Sequence, residues 1–183
     1  YIISITLTAE ALGALFLFAR WRAITDWGLL KTIENAVFHS VSAFCNAGFA
    51  LFSDSFVRFG ADPYINLVMI GLIFFGGIGF IVIMDLLGLF YKRGPARRLS
   101  LQSKIALWVS FVLITAGALL LLFFERNNVL SGMGWAQRLW GALFQSVTAR
   151  TAGFNTLPTG QLAVPSLLVL VLLMFIGASP GST

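Results

Sequence analysis

Residues 38–49 read FHSVSAFCNAGF, and residues 144–154 read FQSVTARTAGF. The two stretches align as FHSVSA over FQSVTA and then as FCNAGF over RTAGF, with one residue fewer in the second copy. Each stretch lies between long apolar segments, so the sequence predicts two copies of one structural unit. Internal repeats on this scale are common in membrane channels and transporters, which place their sites between the repeats.

The composition is that of a membrane protein. Of the 183 residues, 58% are hydrophobic and 10% are charged, whereas soluble domains carry about 25% charged residues. Residues 2–19, 64–90 and 105–124 are each apolar and long enough to span a hydrocarbon core of roughly 30 Å, which predicts three spans. A fourth apolar run, residues 164–178, covers only about 22 Å, so we expect the sequence to be part of a longer protein.

The distribution of charge predicts the orientation in the membrane. The net charge is +5, which in a soluble protein would favour a nucleic-acid partner. Here the basic residues gather in the connection at 91–104, YKRGPARRLSLQSK, which contains no acid. The positive-inside rule makes this loop cytoplasmic and places both repeated stretches on the outer side. We therefore expect a multi-pass plasma (inner) membrane protein, in contact with lipid and without a nucleic-acid partner.

The predicted fold is an all-α membrane protein with three parts. Residues 1–90 form a helix/pore-loop/helix unit, residues 91–104 form the cytoplasmic basic loop, and residues 105–183 form a second unit whose last helix is broken. Pro63 and Pro165 are predicted to open the descending helices, because proline in a first turn loses no hydrogen bond. Asp62 is the predicted N-cap of the first of them.

Each repeated stretch combines a short helix with an irregular loop. Residues 35–44 and 139–149 favour helix, whereas the following CNAGFALFSDS and RTAGFNTLPTG have the composition of loops. Non-helical backbone at membrane depth is tolerated only where protein buries it or where it lines water. A short helix descending from the outer face directs the negative end of its dipole inwards, which favours a cation. Loops containing Gly48 and Gly153 can then point carbonyl oxygens at a potassium-sized ion.

These segments resemble the Trk/Ktr/HKT superfamily of potassium transporters, and within it the Ktr/Trk-type membrane subunits. FHSVSAFCNAGF and SVTARTAGFNT are similar to the second and third pore loops of a pseudo-symmetric cation pore with four units. MFIGASPGST is similar to the interrupted helix of the third unit. The resemblance covers nearly the whole chain and makes residues 1–90 the second pore unit and residues 105–183 the third, with the first and fourth units outside this sequence.

The resemblance implies a K⁺ selectivity filter and a gate. The filter ligands would be backbone carbonyls of eight residues, Asn46, Ala47, Gly48, Phe49, Thr151, Ala152, Gly153 and Phe154. An intramembrane gate loop would contain seven more, Gly177, Ala178, Ser179, Pro180, Gly181, Ser182 and Thr183. His39 and Arg150 would support the filter. No catalytic residue, and no metal site other than the one for potassium, is expected.

The implied function is potassium uptake across the plasma membrane through this filter. K⁺ would be the transported ion, whereas a coupling or activating role of Na⁺, the K⁺ against Na⁺ preference, and channel-like against coupled transport are left open. No cofactor is expected in this chain. The resemblance also implies a homodimer of membrane subunits on a ring of cytosolic nucleotide-binding regulatory subunits of the KtrA/TrkA type.

Two alternative functions stay open. One is a complete two-unit cation channel that dimerises to form its pore. The other is an intramembrane hydrolase that uses Ser40 with His39, or the acids Glu10 and Asp85. Adjacent residues on a helix point about 100° apart, which disfavours a dyad of Ser40 and His39.

Glycines and acids within the spans have structural interpretations. The glycines of FFGGIGF, Gly76, Gly77 and Gly79, lack the residues of a phosphate loop and are predicted to serve close helix packing, with a hinge as the alternative. Glu10 is an intramembrane acid and therefore a functional candidate, although a structural hydrogen-bonding role is favoured. Asp85 is expected to reach water or to pair with Lys92 or Arg93.

The two residues assigned to filter support carry more specific expectations. A positive charge facing the ion path would repel K⁺, so Arg150 is expected to point away from the path and to brace the loop against Glu125 or Glu34. His39 occupies the position of Gln145 in the second copy. This exchange of one hydrogen-bonding side chain for another predicts that His39 bonds to the loop.

Overall fold

The structure is a computed structural model that describes residues 2–91, 98–179 and 181. Over these residues the fold is all-α, as predicted, without a β-strand. The helices in chain order are α1 (Ile2–Ile24), α2 (Leu29–Phe44), α3 (Pro63–Gly77), α4 (Phe80–Tyr91), α5 (Leu101–Glu125), α6 (Trp135–Thr148) and α7 (Val164–Ile176). One short 3₁₀ turn precedes α3 and another precedes α7.

The order long helix, short helix, loop, descending helix occurs twice. The long helices α1 and α5 contain 23 and 25 residues and are apolar enough to cross a membrane. The short helices α2 and α6 contain 16 and 14 residues. Many exposed side chains on α1 and α5 are leucine, isoleucine or phenylalanine, as expected for a surface in contact with lipid.

The predicted span at residues 64–90 is not one continuous helix. The axes of α3 and α4 are bent by 104° at the break between them. Three spans therefore remain only if this bent pair is counted as one. Gly79 lies in the break with φ at +89°, a conformation that residues with a side chain rarely adopt, and it stops the helical hydrogen-bond ladder. The sequence predicted one apolar span here, with a hinge at its glycines as the alternative to close packing, and the bend occurs at these glycines.

The glycines of this segment have two different roles, which are close helix packing and a change of chain direction. At Gly76 the packing interpretation is correct, because a Cβ there would clash with the carbonyl oxygen of Phe44 at the end of α2. At Gly79 the positive φ supports the hinge alternative. Small residues thus bring α3 close to α2 and then let the chain change direction.

A glycine also permits close packing of the long helix in the first unit. Ser40 Oγ on α2 donates a hydrogen bond to the carbonyl of Glu10 on α1 at 2.7 Å. A Cβ at Gly13 would clash with this hydroxyl and would lie 2.7 Å from the side chain of Leu72 on α3. Gly13 is therefore the point where the three helices of the unit converge.

The second unit repeats this packing with equivalent residues. Ser146 Oγ on α6 donates to the carbonyl of Ile114 on α5 at 2.8 Å. A Cβ at Gly117 would clash with Ser146 Oγ and would lie 2.8 Å from the side chain of Leu173 on α7. The repeat seen in the sequence thus extends to the contacts that hold each unit together.

A carboxylate ties the end of each long helix to the start of the descending helix. In the first unit, Arg20 donates to Asp62 at 2.8 Å. Asp62 also accepts from the backbone N–H groups of Tyr64 and Ile65. This is the predicted N-cap, and Pro63 stands in the first turn of α3 as predicted.

The second unit forms the same connection with a carboxylate on the long helix. Glu125 at the end of α5 is fully buried. Its carboxylate accepts from the N–H of Ala163, the residue before α7, at 2.8 Å and from Asn128 at 2.8 Å. Pro165 lies in the first turn of α7, which agrees with its predicted place.

The intramembrane acids Glu10 and Asp85 have structural contacts. Glu10 Oε1 lies 3.7 Å from Cys45 Sγ. Asp85 accepts from Ser103 Oγ at 2.6 Å and from both the N–H and the hydroxyl of Ser100, which connects α4 to the first turn of α5. The predicted pairing of Asp85 with Lys92 or Arg93 stays a prediction, because these two residues lie outside the described ranges.

The close packing at Gly13 and Gly117 gives a first prediction. We expect Gly13→Ala and Gly117→Ala each to lower the free energy of unfolding by about 1–3 kcal/mol, because each adds a methyl group to a filled contact. Gly71→Ala is the matched control, since a Cβ at Gly71 on α3 meets no atom within 4 Å. Thermal unfolding of the purified full-length protein in detergent measures the effect. Equal melting temperatures for the three variants would contradict this packing.

Candidate ion-conduction site

The loops that follow α2 and α6 contact each other through their glycines. Gly48 has φ at +74° and Gly153 has φ at +84°. A Cβ on Gly48 would clash with the carbonyl oxygen of Ala152 and would lie 3.3 Å from Gly153 Cα. A side chain at Gly48 is therefore excluded both by space and by backbone conformation.

Each loop begins by folding back onto the end of its short helix. The N–H of Ala47 donates to the carbonyl of Ser42 at 2.9 Å. In the second unit, the N–H groups of Ala152 and Gly153 both donate to the carbonyl of Thr148, at 2.9 and 3.1 Å. The carbonyl ends of α2 and α6 carry the negative partial charge of the helix dipole, so both loops start in a field that favours a cation.

Two side chains of α2 hold the first loop. His39 is fully buried, and its Nε2 accepts a hydrogen bond from the N–H of Leu51 at 3.1 Å. Ser42 Oγ donates to the carbonyl of Phe49 at 2.8 Å. The predicted hydrogen bond between His39 and the loop is thus confirmed, with His39 as the acceptor, whereas its role in supporting a filter stays a prediction.

The contacts of His39 and Ser40 argue against a hydrolase. His39 Nδ1 lies 2.8 Å from the carbonyl oxygen of Asn35, so both ring nitrogens contact the backbone. The hydroxyl of Ser40 donates to the carbonyl of Glu10. Neither side chain is directed towards the other, as expected for neighbours on a helix.

Backbone hydrogen bonds also join the two loops farther along the chain. The N–H of Phe56 donates to the carbonyl of Asn155 at 2.8 Å, and the N–H of Asn155 donates to Ser55 Oγ at 3.1 Å. The rings of Phe56 and Phe154 meet edge to face, with centroids 5.5 Å apart. The two loops therefore form one connected body.

An aromatic cluster supports this connected body from the first unit. The His39 ring stacks on Phe52 with centroids 4.7 Å apart and contacts Phe56 edge to face at 5.0 Å. The rings of Trp21 on α1 and of Phe59 lie against the same group. Burial of these rings fixes the loop, since each aromatic side chain buries a large apolar surface.

The equivalent phenylalanines of the two loops have different surroundings. Phe154 is fully buried against Phe56 and its neighbours. Phe49, at the same position of the first loop, is 70% exposed. Of the other predicted filter residues, Ala152 is buried, Asn46 and Gly48 are partly exposed, and Ala47, Thr151 and Gly153 are exposed.

The predicted gate residues lie beside the break between α3 and α4. Gly177 ends α7 with φ at +67°. The N–H of Ser179 donates to the carbonyl of Gly77 at 3.1 Å, and the N–H of Phe80 donates to the carbonyl of Gly181 at 3.1 Å. The interruption after α7 is thus hydrogen-bonded to the interruption of the first unit. Of the predicted gate residues, Pro180, Ser182 and Thr183 lie outside the described residues.

Arg150 has a different partner from those predicted. Its Nε donates to the carbonyl of Gly177 at 3.1 Å. Glu125 instead accepts from the start of α7, and neither Glu125 nor Glu34 contacts Arg150 within the described ranges. The prediction failed because it sought a carboxylate, whereas the end of a helix also offers carbonyl oxygens to a basic side chain.

An ion pair lies in the loop between α2 and α3. Arg58 donates to both carboxylate oxygens of Asp54, with Nε at 2.8 and 3.1 Å. These hydrogen bonds hold the pKa of the Asp54 carboxyl below its ordinary value. Both side chains are exposed enough for solvent to screen the pair, so its contribution to stability is small.

The comparisons with known proteins agree with this architecture. The family described as "TrkH: Cation transport protein" matches residues 1–183. Ktr system potassium uptake protein B of Vibrio alginolyticus is 40% identical over 184 residues, which cover 100% of this chain and 40% of the relative. Potassium/sodium uptake protein NtpJ of Enterococcus hirae is 38% identical, with the same coverage.

A solved structure shares the fold. The crystal structure of the potassium transporter TrkH from Vibrio parahaemolyticus superposes with a TM-score of 0.71 at 21% identity, covering 99% of this chain and 36% of that one. The chain spans 40% of the length of the two curated relatives described above. These matches define a class of membrane-embedded potassium and cation transporters. This chain belongs to the TrkH family of cation transport proteins.

Three contacts of the site were not anticipated from the sequence. They are the approach of Gly48 to Ala152, the hydrogen bond from Ser42 to the backbone of its loop, and the connection between the two helix interruptions. The glycine-containing stretches FFGGIG and MFIGASPG stand at equivalent positions of the two copies. This correspondence was a signal that the descending helices of both units are interrupted at the same place. The sequence did not indicate that the two interruptions form hydrogen bonds with each other.

The buried histidine gives a second prediction. We expect His39→Leu to lower the free energy of unfolding by about 1–3 kcal/mol, because the N–H of Leu51 loses its acceptor. His39→Gln is the control, since glutamine stands at the equivalent position of the second unit and retains an acceptor. Thermal unfolding of the full-length protein compares the two. A histidine that only fills space would give the same melting temperature for both variants.

Proposed function

We propose that this chain forms the second and third pore units of a K⁺ uptake protein of the plasma membrane. In this proposal K⁺ passes between the backbone carbonyls of residues 46–49 and 151–154. The observation that carries it is the direct contact of the two loops at Gly48 and Ala152. Two equivalent loops, each following the carbonyl end of a short helix, meet at one place, which is the arrangement that a shared ion path requires.

The physics of dehydration supports potassium as the ion. Backbone carbonyl oxygens can replace the hydration shell of an ion of this size without fixed negative charge. The carbonyl ends of α2 and α6, from which the two loops start, add a partial negative charge. The guanidinium of Arg150, which would repel a cation, donates to the carbonyl of Gly177.

The names of the relatives are consistent with potassium as the ion, and one of them also includes sodium. The Vibrio alginolyticus relative is named a potassium uptake protein, and the Enterococcus hirae relative is named a potassium/sodium uptake protein. In this chain each proposed filter strand contains one glycine, and the two strands have unequal sequences. We therefore propose K⁺ as the transported ion, with Na⁺ as an ion that this filter discriminates against less strictly than a symmetric four-strand filter does.

The surroundings of the two equivalent phenylalanines support a ring of four units. Phe154 is buried because the loop of the preceding unit covers it, chiefly through Phe56. Phe49 is 70% exposed, and the same packing would cover it if another unit preceded this one. A pore with a first and a fourth unit, contributed by the rest of the protein, satisfies this requirement.

We assign the gate to residues 177–183, beneath the filter. Gly177, Ser179 and Gly181 supply hydrogen-bonding groups rather than a continuous helix, and short segments of this kind exchange partners at low cost. In the assembly that family membership favours, two membrane subunits associate and a ring of cytosolic nucleotide-binding subunits controls this segment. The basic connection at 91–104 then faces the cytosol.

The test of this proposal is uptake of Rb⁺, a close analogue of K⁺, by the full-length protein in cells without their own potassium uptake systems. We expect Gly48→Ser and Gly153→Ser to lower the apparent affinity for Rb⁺ and to reduce its preference over Na⁺, because both substitutions force a side chain into the left-handed region beside the ion path. The left-handed conformation costs a residue with a side chain about 1–2 kcal/mol, so we expect a loss of apparent affinity of about tenfold.

A third glycine provides the matched control. Gly160→Ser changes the loop before α7, where a Cβ meets no atom within 4 Å, and we expect uptake like that of the unmodified protein. Equal expression in the membrane is verified for all variants. If Gly48→Ser and Gly153→Ser resemble Gly160→Ser in both affinity and ion preference, the two loops do not touch the ion and the proposal is wrong.

A further inference from the structure

Arg150 stands between the two parts of the site that the proposed function assigns to ion selection and to gating. It directly precedes Thr151, the first residue of the proposed filter strand. Its Nε donates to the carbonyl of Gly177, the residue at which α7 ends. One side chain therefore connects the loop that follows α6 with the segment that follows α7.

Arg150 is partly buried and lines two cavities. Residues from both interruptions and from the filter strand line the smaller one, including Gly77, Thr151 and Ala178. The guanidinium lies at the carbonyl end of α7, where a positive charge is favourable. Hydrogen bonds to a charged donor are stronger than those between neutral groups, so this contact is suited to fixing the position of Gly177.

The neighbouring contacts of the segment at 177–181 are made by backbone groups. They are the bonds from Ser179 to Gly77 and from Phe80 to Gly181. Of these three hydrogen bonds, the one from Arg150 has a side-chain donor. It is also the one that reaches the filter strand, whereas the other two reach the break between α3 and α4.

We propose that Arg150 is a positioning residue that couples the filter strand at 151–154 to the segment at 177–181. Movement of the segment changes the position of Gly177 and, through the guanidinium, the backbone at Thr151. Ion occupancy of the filter and the position of the gate then depend on each other, as any coupling between two sites is reciprocal. This proposal rests on the proposed function, because it takes the assignment of filter and gate from it.

The test is a spectroscopic measurement on the purified full-length protein. A nitroxide spin label is attached to a cysteine introduced as Ala178→Cys, after Cys45 and any other cysteines have been replaced, and its mobility is measured by electron paramagnetic resonance. With Arg150 present we expect a largely immobilised spectrum. With Arg150→Met we expect a large mobile component, because Gly177 loses its charged donor.

Rb⁺ flux through the same variants in liposomes supplies a second readout. We expect Arg150→Met to raise the maximal flux, because the segment after α7 is released, and to shift the apparent Rb⁺ affinity by about fivefold, the low end of typical coupling between sites. A purely structural residue would instead lower the flux together with the amount of folded protein. Arg150→Lys retains a charge and one donor, and we expect it to restore most of the immobilised spectrum.

Arg138→Met is the matched control. Arg138 also lies on α6 and donates its Nε to a backbone carbonyl, that of Met133 at 2.8 Å, which precedes α6 and, among the described residues, is not part of the segment after α7. We expect its spectrum and flux to equal those of the parent protein. If Arg150→Met does not accumulate, Arg150→Gln is measured by the same criteria, because its shorter neutral side chain also removes the charged donor.

The outcomes separate this proposal from the proposed function. A label spectrum and a maximal flux that do not change on loss of the Arg150 charge would overturn the coupling, even where Gly48→Ser and Gly153→Ser alter ion preference as expected. Glycine variants without effect on ion preference, together with a changed label spectrum, would instead place the error in the filter assignment. A changed spectrum together with a raised flux supports the coupling.

Discussion

The close approach of Gly48 to the carbonyl of Ala152 is the contact on which the rest of the arrangement depends. Two irregular loops in an apolar protein must each find partners for their backbone groups, because lipid supplies none. They meet without intervening side chains, and further hydrogen bonds between Phe56, Asn155 and Ser55 complete the junction. A side chain at Gly48 would separate the loops and leave those backbone groups without the junction.

The helices around the loops exist to hold this junction in place. In each unit a serine of the short helix donates to a carbonyl of the long helix across a glycine, which fixes the short helix against the long one. A buried carboxylate or an ion pair then joins the long helix to the descending helix. Each short helix ends where its loop begins, and the two loops contact each other at Gly48 and Ala152, so the negative ends of both helix dipoles lie next to the joined loops.

Sequence predicted those features that arise from local chemistry or from repetition. The two short helices, the N-cap at Asp62 and the hydrogen bond of His39 to its loop all follow from residues close in sequence or from comparison of the two copies. The repeated segments also resembled a family of potassium transporters, and the match to the TrkH family confirms this resemblance. Assignment of individual filter and gate residues stays a prediction.

The features that escaped prediction depend on distant backbone groups. Arg150 bonds to the carbonyl of Gly177 rather than to a carboxylate, and a backbone carbonyl has no signature in the sequence because every residue has one. For the glycines of FFGGIGF the sequence left close packing and a hinge open, since a glycine in an apolar run is equally suited to either. Only the tertiary structure distinguishes Gly76, which packs, from Gly79, which turns the chain.

The most direct test of the proposed filter is the position of the ion itself. Crystals of the full-length protein grown in Rb⁺ and measured at the rubidium absorption edge locate that ion by its anomalous scattering. We predict a peak between the two loops, coordinated by backbone carbonyl oxygens of residues 46–49 and 151–154. A well-ordered structure whose rubidium peaks all lie elsewhere, with these carbonyls directed away from them, would contradict it.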